Sequence, residues 1–238
     1  MHCKWRNVES ALNATRRVVT LGKKHNRHIH VLHITTADEM DFLRDNKDTA
    51  TVEVLPNHLT MYAPDCYEEL GTLAQQNPPI REKEHQDALW RAIDDGTVDI
   101  VASDHAPHTL EEKSGVYPST PSGTPGVQTL LPVMLDHAAN GKLSYERIVD
   151  LMAYGPKRVH KIKNKCAITE GYDADFTVVD PNLIHKITNE EQASKSGWTP
   201  YNNKEVKGYP VMTIIRGKVV MKHGKLLERQ AKPIEFEI

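Results

Sequence analysis

One carboxylate and two imidazoles fall within five positions of each other in Ser103-Asp104-His105-Ala106-Pro107-His108. A carboxylate can move a proton or hold a cation, and a neutral imidazole can do either. The residues before them, Val98-Asp99-Ile100-Val101-Ala102, are apolar and partly β-branched, as suits a strand covered on both faces. Ionisable groups at the carboxyl end of such a strand lie where barrel and open α/β enzymes place their chemistry. The bland alternative is a solvated loop that happens to hold histidines.

Two further strand ends carry histidine. His28-Ile29-His30-Val31-Leu32-His33-Ile34-Thr35-Thr36 is β-rich and runs into Thr36-Ala37-Asp38-Glu39, an N-cap followed by acids. His33 is on the strand face opposite His28 and His30. As a lone histidine it could equally be a core residue bonded to backbone. Thr51-Val52-Glu53-Val54-Leu55 ends at Pro56, which stops a ladder and leaves His58 beyond the strand. Asn77-Pro78-Pro79-Ile80-Arg81 is rigid, because its prolines fix φ, and can hold Asn77 and Arg81 in place; a plain connector is the alternative. The loop up to Gly126, including Thr124-Pro125-Gly126, has too many breakers for regular structure, but its glycines allow close backbone approach to a ligand.

These segments need positioning elements. Helical spacing covers about Asn7 to Lys24, a segment opening at Thr36, about Glu82 to Asp95 with Gly96 closing it, Val127 to Ala139, Ser144 to Tyr154, and a short piece after Pro156. Met61 to Gln76 reads as loop with short helical turns. Helix and strand alternate, which is the α/β pattern. From Cys166 the texture changes to short strands: Phe176-Thr177-Val178-Val179-Asp180, then a hairpin around Arg216-Gly217. The expected organisation is α/β over 1–165 and a small β annex over 166–238.

Composition narrows the function class. Hydrophobic residues are 39% and charged residues 26% of 238, ordinary for a globular chain. Lys+Arg 30 against Asp+Glu 32 leaves a net charge of -2, so no nucleic-acid footprint is expected. Thirteen histidines raise the expectation of a metal or hydrolytic site. Cys3, Cys66 and Cys166 form neither a metal pair nor a disulfide framework, which points to a reducing, cytoplasmic location. No apolar run reaches the roughly 18 residues of a membrane span, and the first residues lack a signal peptide's apolar region.

The chain resembles the dihydroorotases of the cyclic amidohydrolase superfamily. The resemblance rests on Val31-Leu32-His33-Ile34-Thr35-Thr36, Asn77-Pro78-Pro79-Ile80-Arg81, Ser103-Asp104-His105-Ala106-Pro107-His108 and Gly171-Tyr172-Asp173-Ala174-Asp175-Phe176-Thr177-Val178-Val179-Asp180. It implies a (β/α)8 TIM barrel with a small β-sandwich, and zinc-dependent interconversion of dihydroorotate and N-carbamoyl-aspartate in pyrimidine synthesis, with one or two zinc ions. It further implies His33 and Asp104 as metal ligands and Asp104 as general acid/base. Asn77 and His108 would contact substrate, Pro125 and Gly126 would offer backbone to it, and His105 would stand behind them.

The family's His-x-His pair of the first barrel strand has no counterpart in place; His28-Ile29-His30 lies on the strand of His33, far too late. The chain therefore resembles only the C-terminal half: a partial barrel over 1–165 and a sandwich portion over 166–238. Two ligands hold zinc weakly, so the chain alone is expected to lack activity, and to form a homo-oligomer or pair with a missing N-terminal half. Two other readings stay open: a non-catalytic dihydroorotase-like partner of another pyrimidine enzyme, and an allantoinase- or dihydropyrimidinase-type amidohydrolase.

Overall fold

The computed structural model describes residues 2–237. They form two compact units: the chain up to Leu130 together with Thr188–Asn202, and Leu131–Ile187 together with the chain from Asn203 onward. No helix among the described residues is long and apolar enough to cross a membrane.

In the first unit a short helix α1 (His2–Trp5) precedes α2 (Val8–Lys24), and the segment between them supplies the cap of α2. Asn7 accepts a hydrogen bond from the Ser10 backbone at 2.9 Å, and Lys23 and Lys24 meet the negative end of the helix dipole. Thr15, Val19 and Gly22 form its buried stripe. Gly22 lets α2 lie against the next strand: a Cβ there would fall 2.5 Å from Ile29 Cγ1.

Strand β1 (Ile29–Val31) is followed by α3 (Ala37–Arg44), capped by Thr36 as its sequence indicates. Glu39 closes this cap, taking bonds from the hydroxyls of Thr36 at 2.8 Å and Thr15 at 2.7 Å. Strand β2 (Ala50–Val54) leads to one turn of helix, α4 (Pro56–Thr60). Then come α5 (Asp65–Leu70), a 3-10 turn (Gly71–Ala74) and α6 (Lys83–Asp94), which buries Ala88, Leu89, Ala92 and Ile93. Gly96, at φ +82, turns the chain into β3 (Ile100–Val101).

The three strands are parallel in the order β1-β2-β3. Val52, Val54, Val101, Met40, Leu43 and Leu89 make up much of the core beside them. Parallel pairing brings all three carboxyl ends to one edge, so His33, Asn57-His58 and Ser103 to His108 all follow strands that end on the same side. β1 stops at Val31, earlier than its composition suggests, and Leu32 is 51% exposed.

The second unit holds α8 (Leu130–Ala139), α9 (Tyr145–Val149), a π-helical turn (Asp150–Tyr154) and α10 (Gly155–His160), and a short α7 (Leu110–Lys113) precedes them in the first unit. Its antiparallel sheet has the order β4-β5-β6-β7: Phe176–Lys186, Glu205–Ile215, Lys218–Lys222 and Lys225–Leu226. Arg216 (φ 47) and Gly217 (φ 76) form the two-residue hairpin turn between β5 and β6. β4 and β5 are each 11 residues long, and β4 is far longer than its apolar run. Pro181 and Pro210 break the local pattern, and the ladder absorbs this with register shifts after Val178 and Asp180.

Candidate active site

His33 and Asp104 stand at the ends of β1 and β3, and both hold left-handed backbone, with φ of 42 and 44. For residues with a Cβ this conformation is uncommon, and such backbone gathers at functional sites. The Asp104 carboxyl is half-buried, and burial raises its pKa; the His33 imidazole nearby works against that rise and Glu53 adds to it. The two groups thus lie within electrostatic reach of one another. Among the described residues no hydrogen bond engages either side chain.

Glu53 is a buried carboxylate on β2 and a member of this cluster that sequence reading missed. It accepts from the His33 backbone N–H at 3.3 Å, and its other oxygen is 3.6 Å from His30 Nε2. His30 also meets the Thr51 hydroxyl at 2.9 Å. A charged residue between Val52 and Val54 in a strand buried on both faces was the available signal.

His58 is buried, and desolvation pushes its pKa down to about 3, so the ring is neutral. Its Nε2 lies 3.1 Å from the Pro78 carbonyl and 2.8 Å from the Gln76 side-chain amide. The ring therefore anchors the Asn77-Pro78 segment. Asn57 extends the anchor: it donates to Gln76 at 2.6 Å and to the Thr124 hydroxyl at 2.9 Å, and accepts from the Tyr201 hydroxyl at 2.7 Å. Arg81, the last residue of the rigid motif, is buried and donates to the carbonyls of Cys3 and Arg6 and to the Thr35 hydroxyl. Its rigid placement holds backbone segments together.

The breaker-rich loop to Gly126 is irregular, as its composition indicates, yet tightly held. Gly126 and Val127 donate backbone N–H bonds to His105 Nδ1 at 3.1 and 3.3 Å. A Cβ on Gly126 would sit 2.9 Å from the Ser103 carbonyl. His108 lies 3.7 Å from Glu112, and its carbonyl accepts from the Trp198 indole at 2.7 Å. Glu112 also completes a capping box with Thr109 at the start of α7. Local patterns gave no pointer to Trp198 or Tyr201, which return from far along the chain.

Lys113 is buried beneath the loop and donates to the carbonyls of Gln75, Pro121 and Gly123 at 2.9, 3.0 and 3.1 Å. Burial lowers its pKa from 10.5 to about 8. The folded state then releases this proton before the unfolded chain does, so stability rises with pH between about 8 and 10.5. Unfolding in urea below and within that window should show a rise on the order of 1–2 kcal/mol, absent in Lys113→Met.

Histidine nitrogen and carboxylate oxygen suit a zinc ion. His33 and Asp104, close enough to feel each other's charge and with side chains in no hydrogen bond among the described residues, fit as two of its donors. Among the described residues no group of three or more His, Cys, Asp or Glu is placed to hold a metal.

The family model described as the amidohydrolase family matches residues 10–220. A dihydroorotase of Halobacterium salinarum is 38% identical over 216 residues, covering 91% of this chain and 50% of its own length. One of Pyrococcus furiosus is 38% identical over 217 residues, with coverage of 91% and 50%. The chain spans about half the length of the curated relatives it matches, and the half it resembles is the C-terminal one. Among solved structures, L-hydantoinase from Arthrobacter aurescens matches with a TM-score of 0.87 and 29% identity over 92% of this chain and 50% of that one. Dihydropyrimidinase from Brevibacillus agri matches in fold with a TM-score of 0.88 and 24% identity, over 95% and 51%.

Proposed function

Because the chain belongs to the amidohydrolase family, we propose that it carries one side of a dihydroorotase active site. The reaction is reversible hydrolysis of dihydroorotate to N-carbamoyl-aspartate, a step of pyrimidine synthesis in the cytoplasm. The observation that carries the reading is that His33 and Asp104 both follow parallel strand ends with positive φ and lie within electrostatic reach of each other. In this reading β1 to β3 are late strands of a (β/α)8 barrel, and the antiparallel sheet is part of a small β-sandwich.

His33 and Asp104 would hold zinc; when bound, that ion lowers the pKa of a water to about 7. Asp104 takes a proton from the attacking water and returns it to the departing ring nitrogen. Asn77 and His108 bind the substrate carboxylate or ring, and the backbone of Pro125 and Gly126 lies against it. His105 holds Gly126 and Val127 through the backbone N–H bonds it accepts from each. The remaining ligands would come from the half of the relatives' length that this chain does not span. The resemblance to hydantoinase structures supports a second reading, hydrolysis of another cyclic amide ring.

The test supplies the N-terminal half of the Pyrococcus furiosus dihydroorotase to this chain with zinc and offers dihydroorotate and hydantoin. Expected are no turnover by the chain alone, turnover in the combined form, and a preference of about tenfold or more for dihydroorotate. Stoichiometric zinc and turnover by the chain alone would refute the two-donor site. A preference for hydantoin would transfer the assignment to the second reading.

A further inference from the structure

We propose that His2 is a positioning residue that fixes the side-chain amide of Asn77 with its two N–H donors outward, toward an anionic substrate. The proposal rests on the substrate role assigned to Asn77 above. His2 is 6% exposed, although it stands near the start of the chain. Its Nε2 lies 2.9 Å from the Gln76 carbonyl oxygen and 3.1 Å from Asn77 Oδ1. Both are acceptors, so Nε2 carries the proton and is shared between them. Nδ1 is then the acceptor, and it faces the Tyr117 hydroxyl at 3.4 Å. Tyr117 stands edge-on to the ring, with centroids 5.5 Å apart, which sets the plane of the imidazole. Burial lowers the pKa of the ring against the opposing pull of its bonds to Gln76 and Asn77, and the charges of Arg6 and Arg81 act in the same direction as burial.

The consequence falls on Asn77. An asparagine amide turns easily about its last torsion and can present oxygen or nitrogen to a ligand. Presenting oxygen to a carboxylate repels it; presenting nitrogen binds it. The bond from His2 engages Oδ1 and leaves Nδ2, on an otherwise exposed side chain, as the outward group. His58 holds the backbone of the same segment at the Pro78 carbonyl. The main chain and the amide orientation of Asn77 are therefore set by two different imidazoles.

The experiment compares dihydroorotate binding and kcat in the zinc-loaded form that turns over dihydroorotate, for wild type, His2→Phe, His2→Gln, Asn77→Ala and His2→Phe/Asn77→Ala. Phenylalanine removes the donor; a cavity of about 300 Å³ lined by His2, Tyr67, Thr72 and Tyr117 leaves it room. Glutamine restores an N–H near the Nε2 position. Expected are affinity losses of about fivefold to tenfold for His2→Phe and about tenfold for Asn77→Ala, with kcat changed less than KM. His2→Gln should bind within about twofold of wild type, and the double variant no more weakly than Asn77→Ala. NMR of the Asn77 side-chain amide in the free protein should show its resonances shifted by His2→Phe and restored by His2→Gln. Wild-type affinity in His2→Phe alongside a loss in Asn77→Ala overturns the proposal, as does an additive loss in the double variant. An undiminished affinity in Asn77→Ala refutes the substrate role of Asn77 and the proposal with it, while the free-protein NMR decides the His2–Asn77 bond by itself.

Discussion

Asp104→Asn will lower kcat/KM for dihydroorotate by about a thousandfold or more while leaving the melting temperature of the zinc-free protein nearly unchanged. Asparagine has the shape of aspartate, but it cannot accept a proton and is a poor cation ligand. Loss of a general acid/base alone costs about 10² to 10⁴ in rate, and loss of one of the zinc donors that this chain supplies adds to it. The choice of asparagine matters because Asp104 sits at φ 44. Asparagine tolerates left-handed backbone, whereas alanine would add strain there and confuse lost chemistry with lost fold. The carboxylate takes no hydrogen bond among the described residues, so its replacement breaks none. Steady-state kinetics and thermal unfolding of the combined protein check both halves. Activity retained within about tenfold would refute the role of Asp104.

What local pattern reveals is where strands end. Ile100-Val101-Ala102 reads as a buried strand stopping before Asp104, and β3 is found there; Thr36 reads as a cap, and it caps α3. The partners that hold the site are less legible, because a polar residue's partner lies anywhere in the chain. Tyr201 reaches Asn57 across 144 positions, and Trp198 reaches His108 across 90. Glu53 hides in an apolar alternation that a half-exposed strand would show equally. Lys113 looks like the last residue of a charged turn, Leu110-Glu111-Glu112-Lys113, yet it is buried on three carbonyls. The Thr109 and Glu112 spacing did carry a readable capping signal for that turn. The long strands β4 and β5 were obscured by Pro181 and Pro210, which interrupt alternation but not the ladder as a whole.

Gly123→Ala should cost about 3 kcal/mol or more of stability, and the reason is its place between two halves of the candidate site. Its N–H donates to the Gln75 carbonyl at 3.0 Å, and its own carbonyl accepts from Lys113 at 3.1 Å. On its other side, a Cβ would lie 2.5 Å from the Ala106 carbonyl oxygen, 2.9 Å from Ala106 Cβ and 3.3 Å from His108 Cδ2. The first atom is backbone and the second is the Cβ fixed to it, so neither can swing away, and φ of +147 is itself a conformation that favours glycine. Two penalties therefore add at one position. Gly96→Ala separates them: Gly96 has φ +82 and nothing within 4 Å of a Cβ, so it pays for backbone alone, about 1–2 kcal/mol. Relief of the clash at Gly123 would push Ala106 and His108 away from Gln75 and Asn77, so substrate affinity should fall in Gly123→Ala and hold in Gly96→Ala. Denaturant unfolding and dihydroorotate binding on both variants test this. Equal stability losses with unchanged affinity would show that the contact between Gly123 and Ala106 does not set the spacing of the two substrate-facing segments.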